Sequence, residues 1–250
     1  VRPPHFISDL ILDGRDLRPA GEGIWSALSA GAPVQRYDRR AAGYDRLVGS
    51  ALYNRLLWGS SPRTYAAFAD RAARAGRGPL LDAGCGSLVF TVHTYARPDR
   101  PVVLMDESIG MLRAGGDRLR RAAGRVPDEV ALVQGNVRDL PFRRACFSTV
   151  LCMGMLHLFD DIATLASALV NATEPGGQLF LTSLVAETWI GRRYLSLLHR
   201  AGEVAAPRTS ARLLKELQPV TASLAGPVSL ETEGSIAFIV ATAGRRKSLP

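Results

Sequence analysis

The sequence predicts an α/β chain built on a mostly parallel, doubly wound sheet. Three observations carry that expectation. Apolar runs of strand length alternate with helical periodicities from Gly78 onward. These runs are continuously apolar, as strands covered on both faces are. A glycine-rich turn closes the first of them.

The elements follow in order. Residues 1–30 mix a short apolar run, "FISDLILDG", with the turn-like "RDLRPAGEG", and read as an arm. Residues 35–75 hold helical spacings, with Tyr37, Ala41, Tyr44, Leu47 and Val48 on one stripe. A second helix there starts at Ser61–Pro62 and stops by Gly76. The first strand is "PLLDAGCGS", and "LVFTVHTYA" is helical after it. "PVVLMD" is the second strand, with a helix opening at Ser108. "EVALVQGN" and "FSTVLCMGML" are the third and fourth strands. A helix runs from Asp160 or Asp161 to about Ala172, and "QLFLTSLV" is the fifth strand. Helices are expected over about 189–203 and 209–217. The strands "PVSLETE" and "SIAFIVATA", joined at Gly234, then form an antiparallel hairpin, and "GRRKSLP" is a frayed tail.

Two units follow from this order. Residues 1–77 are an N-terminal arm and helical lid. Residues 78–250 are the ligand-binding and catalytic unit, with a substrate-side insert at about 187–218.

Composition narrows the function. The chain has 250 residues, 47% hydrophobic and 22% charged, enough for a sizeable core. No long charge-free apolar stretch exists, so no membrane span is expected. The net charge of +8 comes from scattered arginines without interleaved aromatics, and nucleic acid is not the expected partner. Cys85, Cys146 and Cys152 match no metal spacing and read as reduced thiols of a cytoplasmic protein. The four histidines form no ligand cluster, so no metal is expected.

The chemistry concentrates at Asp82, Gly84, Cys85, Gly86 and Ser87. Glycines at that turn let a ligand lie against the backbone. Asp106, 24 residues beyond Asp82 at the end of the second strand, is placed to accept both hydroxyls of a ribose. A dinucleotide fingerprint wants a third glycine where Val89 stands. Asp82 disfavours a nearby phosphate and suits an ammonium, so the methionyl end of S-adenosylmethionine fits better. Each residue has a plainer role as well: Asp82 as a turn cap, Asp106 as a helix cap, and Glu107, a candidate for the adenosine rim, as a merely exposed side chain.

Residues 78–185 resemble the class I S-adenosylmethionine-dependent methyltransferases. "LLDAGCGS", "VVLMDESIGML", "QGNVRDLPF", "FSTVLCMGMLHLFDD" and "EPGGQLFLTSLV" stand in that family's motif order. "YDRRAAGYDRL" resembles the N-terminal helix of its small-molecule and quinone-type branch. The resemblance implies a seven-stranded sheet in the order 3-2-1-4-5-7-6. It implies a cofactor site of Asp82, Gly84, Cys85, Gly86, Asp106, Glu107, Met111, Asn136, Val137 and Met153. Two positions depart from the pattern: Leu88 replaces the usual third glycine, and Asn136 the usual acid. Leu88 is expected to keep helical backbone angles and turn its side chain from the ligand.

The expected reaction moves a methyl group to an O, N or C nucleophile of a partly hydrophobic or aromatic small molecule. His157, just beyond the fourth strand, is the expected base, or else positions the acceptor. Tyr37, Tyr44, Trp189, Tyr194 and His199 are the expected substrate wall, and the alternative for each is helix packing or local core. No amino-methylating "[N/D]PP[Y/F]" run follows the fourth strand, where the chain reads "MGML". Three other readings stand beside this one: a noncatalytic adenosylmethionine-binding protein, a nicotinamide oxidoreductase, and an RNA-directed methyltransferase suggested only by charge. The sequence is also compatible with a homodimer.

Overall fold

The computed structural model describes residues 3–28 and 58–244. Tyr37, Tyr44 and most of the expected lid lie outside these residues.

The chain opens with helix α1 (His5–Leu10) and a hairpin of β1 (Arg18–Gly21) and β2 (Ile24–Ser26). Helix α2 (Pro62–Arg74) follows, then β3 (Leu80–Ala83), the single-turn α3 (Val92–Tyr95), β4 (Val102–Asp106), α4 (Ile109–Ala123) and β5 (Val130–Gln134). Next come β6 (Phe147–Cys152), a 3-10 turn (Leu156–Leu158), α5 (Ile162–Ala172) and β7 (Thr173–Leu184). The chain ends in α6 (Trp189–Arg200), α7 (Ser210–Thr221), β8 (Ser229–Glu233) and β9 (Ile236–Thr242).

The nine strands of the described residues form one sheet, in the order β1-β2-β5-β4-β3-β6-β7-β9-β8. This corrects the seven-stranded sheet expected from sequence. The two additional strands come from the N-terminal arm. Ile24, Trp25 and Ser26 pair in parallel with Leu132, Val133 and Gln134, and β1 adds antiparallel outside them. Three residues are too few to show a period, so "IWS" carries no strand signal within the expected arm. Its pairing partner lies more than 100 residues away, and the exposed β5 edge supplies what local pattern lacked.

Alternate residues of the central strands face opposite layers. Leu81, Ala83, Val103, Met105, Val150 and Cys152 face α1, α5 and α7. Leu80, Val102, Leu104 and Leu132 face α3 and α4. Farther along that second face, Tyr65 and Phe68 of α2 pack with Phe180 and Phe238.

The helix starts follow their caps. Ser61 Oγ accepts from Arg63 N–H at 3.0 Å, Ser108 Oγ from Met111 N–H at 3.2 Å, and Asp161 Oδ1 from Thr164 N–H at 3.0 Å. Helix α3 is shorter than its sequence suggests, because residues 84–91 are spent on turns before it begins. The terminal hairpin is tied to α2's entry: Ser235 N–H donates to the Trp58 carbonyl at 2.7 Å. A side chain on Gly234 would strike that carbonyl.

Candidate cofactor and acceptor site

The carboxyl ends of β3, β4 and β6 meet at the glycine turn, where an open α/β sheet binds ligands. The backbone there alternates into the left-handed region, with φ of +78° at Gly84, +57° at Gly86 and +61° at Leu88. Gly84 and Cys85 N–H both donate to the Met105 carbonyl, at 2.8 and 3.0 Å. Asp106 locks the turn from β4. Its Oδ2 accepts from Gly86 N–H at 2.9 Å and its Oδ1 from Ser108 N–H at 2.9 Å.

These residues fit S-adenosylmethionine. Among the described residues, a Cβ on Gly86 would meet nothing within 4 Å, which leaves space above the turn. A carboxylate offers about four lone-pair sites, so the Asp106 group can accept ribose hydroxyls as well as backbone N–H groups. Beside it, Gln134 Nε2 donates to the Glu107 carbonyl at 3.1 Å, and Asn136 Nδ2 to Glu107 Oε1 at 3.3 Å. Burial raises the Glu107 carboxyl, and the Asn136 bond partly offsets this. Asn136 Oδ1 accepts from Arg138 N–H at 2.8 Å and keeps one lone pair for an adenine amino group. Met111 and Val137 are buried at this edge, and Met153 and Cys85 are half-buried.

Asp82 lies beneath the turn. Tyr95 Oη donates to its Oδ2 at 2.8 Å. Burial pushes the Asp82 carboxyl up to about 7; the Tyr95 bond lowers it, and the Asp106 charge adds to the rise. Tyr95 carried no signal in the sequence, because the pairing spans 13 residues and the turn itself. Met155 was missed too: its side chain fills the space a Cβ on Gly84 would enter.

Leu88 departs from expectation in its backbone and agrees in its side chain. Its φ is left-handed, not helical, which is why the family pattern prefers glycine there. The side chain is 2% exposed and turns from the ligand side into the α4 layer. Gly115 of α4 makes room: a Cβ there would lie 3.1 Å from Leu88 Cγ.

His157 sits half-buried in the 3-10 turn after β6. Its Nδ1 accepts from Leu184 N–H at 3.3 Å. An accepting Nδ1 places the proton of the neutral ring on Nε2. Burial lowers its pKa to about 4, with the Arg208 charge adding to the shift. Arg208, another residue without a sequence signal, is buried and donates to Glu216 Oε2 at 2.5 Å and to the Asp160 carbonyl at 2.7 Å. The remaining expected wall residues, Trp189, Tyr194 and His199, all lie on α6 but point in different directions. Tyr194 lies edge-on to Trp58 at 5.3 Å, His199 Nδ1 contacts the Val204 carbonyl at 3.0 Å, and Trp189 is 70% exposed.

Two titrations oppose each other in stability. His157 holds its folded pKa near 4, below the ordinary 6.5. Between those values the unfolded chain takes a proton that the fold refuses, so stability is lost as pH falls from about 6.5 to 4. Asp82 works the other way. Its folded value near 7 lies above 3.8, so stability rises as pH falls from about 7 toward 3.8. Urea midpoints at pH 7.5, 6 and 5 are expected to fall on acidification more steeply for Asp82→Asn than for the parent. For His157→Gln they are expected to rise relative to the parent. Parallel curves for all three proteins would contradict both assignments.

The sheet, the left-handed glycine turn and its two carboxylates define a domain of the class I S-adenosylmethionine-dependent methyltransferase fold. Residues 80–177 match the methyltransferase domain family. A ubiquinone/menaquinone biosynthesis C-methyltransferase of Syntrophotalea carbinolica is 32% identical over 149 residues, covering 58% of this chain and 58% of that protein. A demethylmenaquinone methyltransferase of Symbiobacterium thermophilum is 34% identical over 101 residues, or 40% of this chain and 39% of that one. The chain spans 28% to 58% of the length of the curated relatives it matches. Among solved structures, geranyl diphosphate C-methyltransferase of Streptomyces coelicolor aligns with a TM-score of 0.57 at 17% identity. That alignment covers 86% of this chain and 100% of the other.

Proposed function

We propose that this protein is an S-adenosylmethionine-dependent methyltransferase acting on a partly hydrophobic or aromatic small molecule. The observation that carries this reading is Asp106, whose carboxylate is bonded into the glycine turn at the end of β4, beside the space above Gly86. The family match at residues 80–177 supports it. The two quinone-directed relatives support a quinone-like aromatic acceptor, and the half-buried Tyr194 and Leu198 suit an apolar one. Three free thiols support a reducing, cytoplasmic setting, and no described helix is long and apolar enough to cross a membrane.

S-adenosylmethionine supplies a methyl group on a sulfonium, open to in-line displacement. The chain's residues divide the remaining work. Asp106 binds the ribose, and Glu107 with Asn136 edges the adenine. Asp82 balances the methionyl ammonium, whose charge draws its carboxyl toward the ionised form. His157 holds the acceptor by donating from Nε2, since its ring is neutral at ordinary pH and its Nδ1 is engaged. Alignment of the nucleophile with the methyl group and exclusion of water then lower the barrier.

Labelled methyl transfer to a panel of hydroquinones and prenyl diphosphates tests this reading. Transfer to a hydroquinone is expected. Transfer confined to prenyl diphosphates would overturn the aromatic acceptor, and no binding of S-adenosylmethionine would overturn the whole reading. His157→Ala is expected to lower turnover about 10-fold, the order of one lost hydrogen bond, with cofactor affinity unchanged. With S-adenosylmethionine saturating, so that its ammonium keeps Asp82 ionised, the parent's pH–rate profile is expected to lack an ascending limb at pH 6 to 7. A limb there that disappears in the variant would restore His157 as a base.

A further inference from the structure

Among the described residues, the outer face of α6 is a large exposed feature with no part in the proposed methyl transfer. Thr188 Oγ1 caps the helix by accepting from Gly191 N–H at 3.0 Å, and Gly191 and Leu195 are buried on its inner side. At about 100° per residue, Trp189, Arg200, Arg193, Leu197 and Ile190 share a single arc of about 100° on the opposite side. Trp189, Ile190 and Leu197 are 70%, 48% and 59% exposed, and they are three of the four exposed large hydrophobics among the described residues. The Arg193 guanidinium lies over the Trp189 ring at 4.9 Å. The helix also carries Arg192 and has no acidic residue. Neither Arg193 nor Arg200 has a carboxylate partner among the described residues.

We propose that this face of α6 docks the protein on an anionic lipid bilayer. Trp189, Ile190 and Leu197 enter the headgroup–acyl boundary, and Arg193 and Arg200 meet the lipid phosphates. Basic and apolar side chains interleave on the same arc, which suits an interface where long arginine stems lie along apolar groups and their heads reach phosphate. The positive net charge strengthens the attraction. A 12-residue helix is about 18 Å long and by itself offers less area than a stable protein interface needs, whereas a bilayer sets no such minimum. Helix α6 follows the carboxyl end of β7, on the edge of the sheet that holds the glycine turn. Docking there presents the site to acceptors dissolved in the membrane. The inference does not depend on methyl transfer, because its test needs no turnover.

The test uses the full chain with vesicles of phosphatidylcholine, alone or mixed with phosphatidylglycerol. Trp25 and Trp58 are each 5% exposed, so a blue shift of tryptophan emission on adding vesicles reports Trp189. Cosedimentation with the mixed vesicles, a blue shift and weakening by salt are expected. Arg193→Gln with Arg200→Gln is expected to weaken binding to mixed vesicles about 30-fold. Trp189→Ser with Leu197→Ser is expected to abolish binding, with an unchanged circular dichroism spectrum showing that the fold is kept. Equal binding by the Trp189→Ser/Leu197→Ser protein would overturn the proposal, as would no binding to anionic vesicles. So would a dimer in light scattering that dissolves in that variant while lipid binding is absent, because the face would then serve a second copy.

Discussion

Replacing Asp106 with Ala is expected to weaken S-adenosylmethionine binding about 10-fold to 150-fold, the equivalent of 1.5–3 kcal/mol for a charge-assisted hydrogen bond. The direct loss is the acceptor for the ribose hydroxyls. An indirect loss adds to it, because Gly86 and Ser108 N–H both donate to this carboxylate. Without it, the turn that shapes the ligand's bed loses its tie to β4. Asn is no conservative test here, since its amide would set an NH₂ against one of those two N–H donors. Calorimetry on the Ala variant, with a urea midpoint measured on the same protein, separates lost binding from a loosened fold. Affinity within twofold of the parent would refute the ribose assignment.

Leu88→Ala is expected to destabilise the protein by about 2–5 kcal/mol, and Leu88→Gly by less. The order reverses the usual penalty for glycine. Both variants empty the space that a fully buried leucine fills in the α4 layer. Only glycine also relieves the left-handed backbone, worth about 1–2 kcal/mol. Gly115→Ala provides the second half of the test. In the parent its Cβ crowds Leu88 at 3.1 Å; in the Leu88→Gly background it fills vacated space and gains helix propensity. The two substitutions are therefore expected to be non-additive, with Gly115→Ala stabilising the Leu88→Gly protein. Urea denaturation reads all four proteins. A Leu88→Ala protein as stable as Leu88→Gly would mean that the backbone strain is absent. Cofactor affinity is expected to hold within about threefold throughout, since the side chain faces away from the ligand.

What could be read in the sequence was what neighbouring residues encode together. The strands β3 to β6, and the second half of β7, are short apolar runs bounded by turn residues. The helix starts at Ser61, Ser108 and Asp161 are local hydrogen bonds written in residue type. The glycine turn and the acid ending β4 were legible because backbone conformation and strand position depend on a few adjacent residues. Tertiary structure decided the rest, through contacts between distant segments. Ile24–Ser26 became a strand because β5 offered an edge. Leu88 tolerates a left-handed backbone because Gly115, 27 positions away, leaves room for its side chain. The same holds for His157, whose proton is assigned by the Leu184 amide and whose low pKa comes from burial near Arg208. Periodicity marked α6 as a helix, but which arc of it remains open to solvent depends on what packs beneath Gly191 and Leu195. Local pattern fixes an element's type at the scale of one turn or one pleat. Electrostatics, strain and exposure are set by neighbours that sequence distance does not reveal.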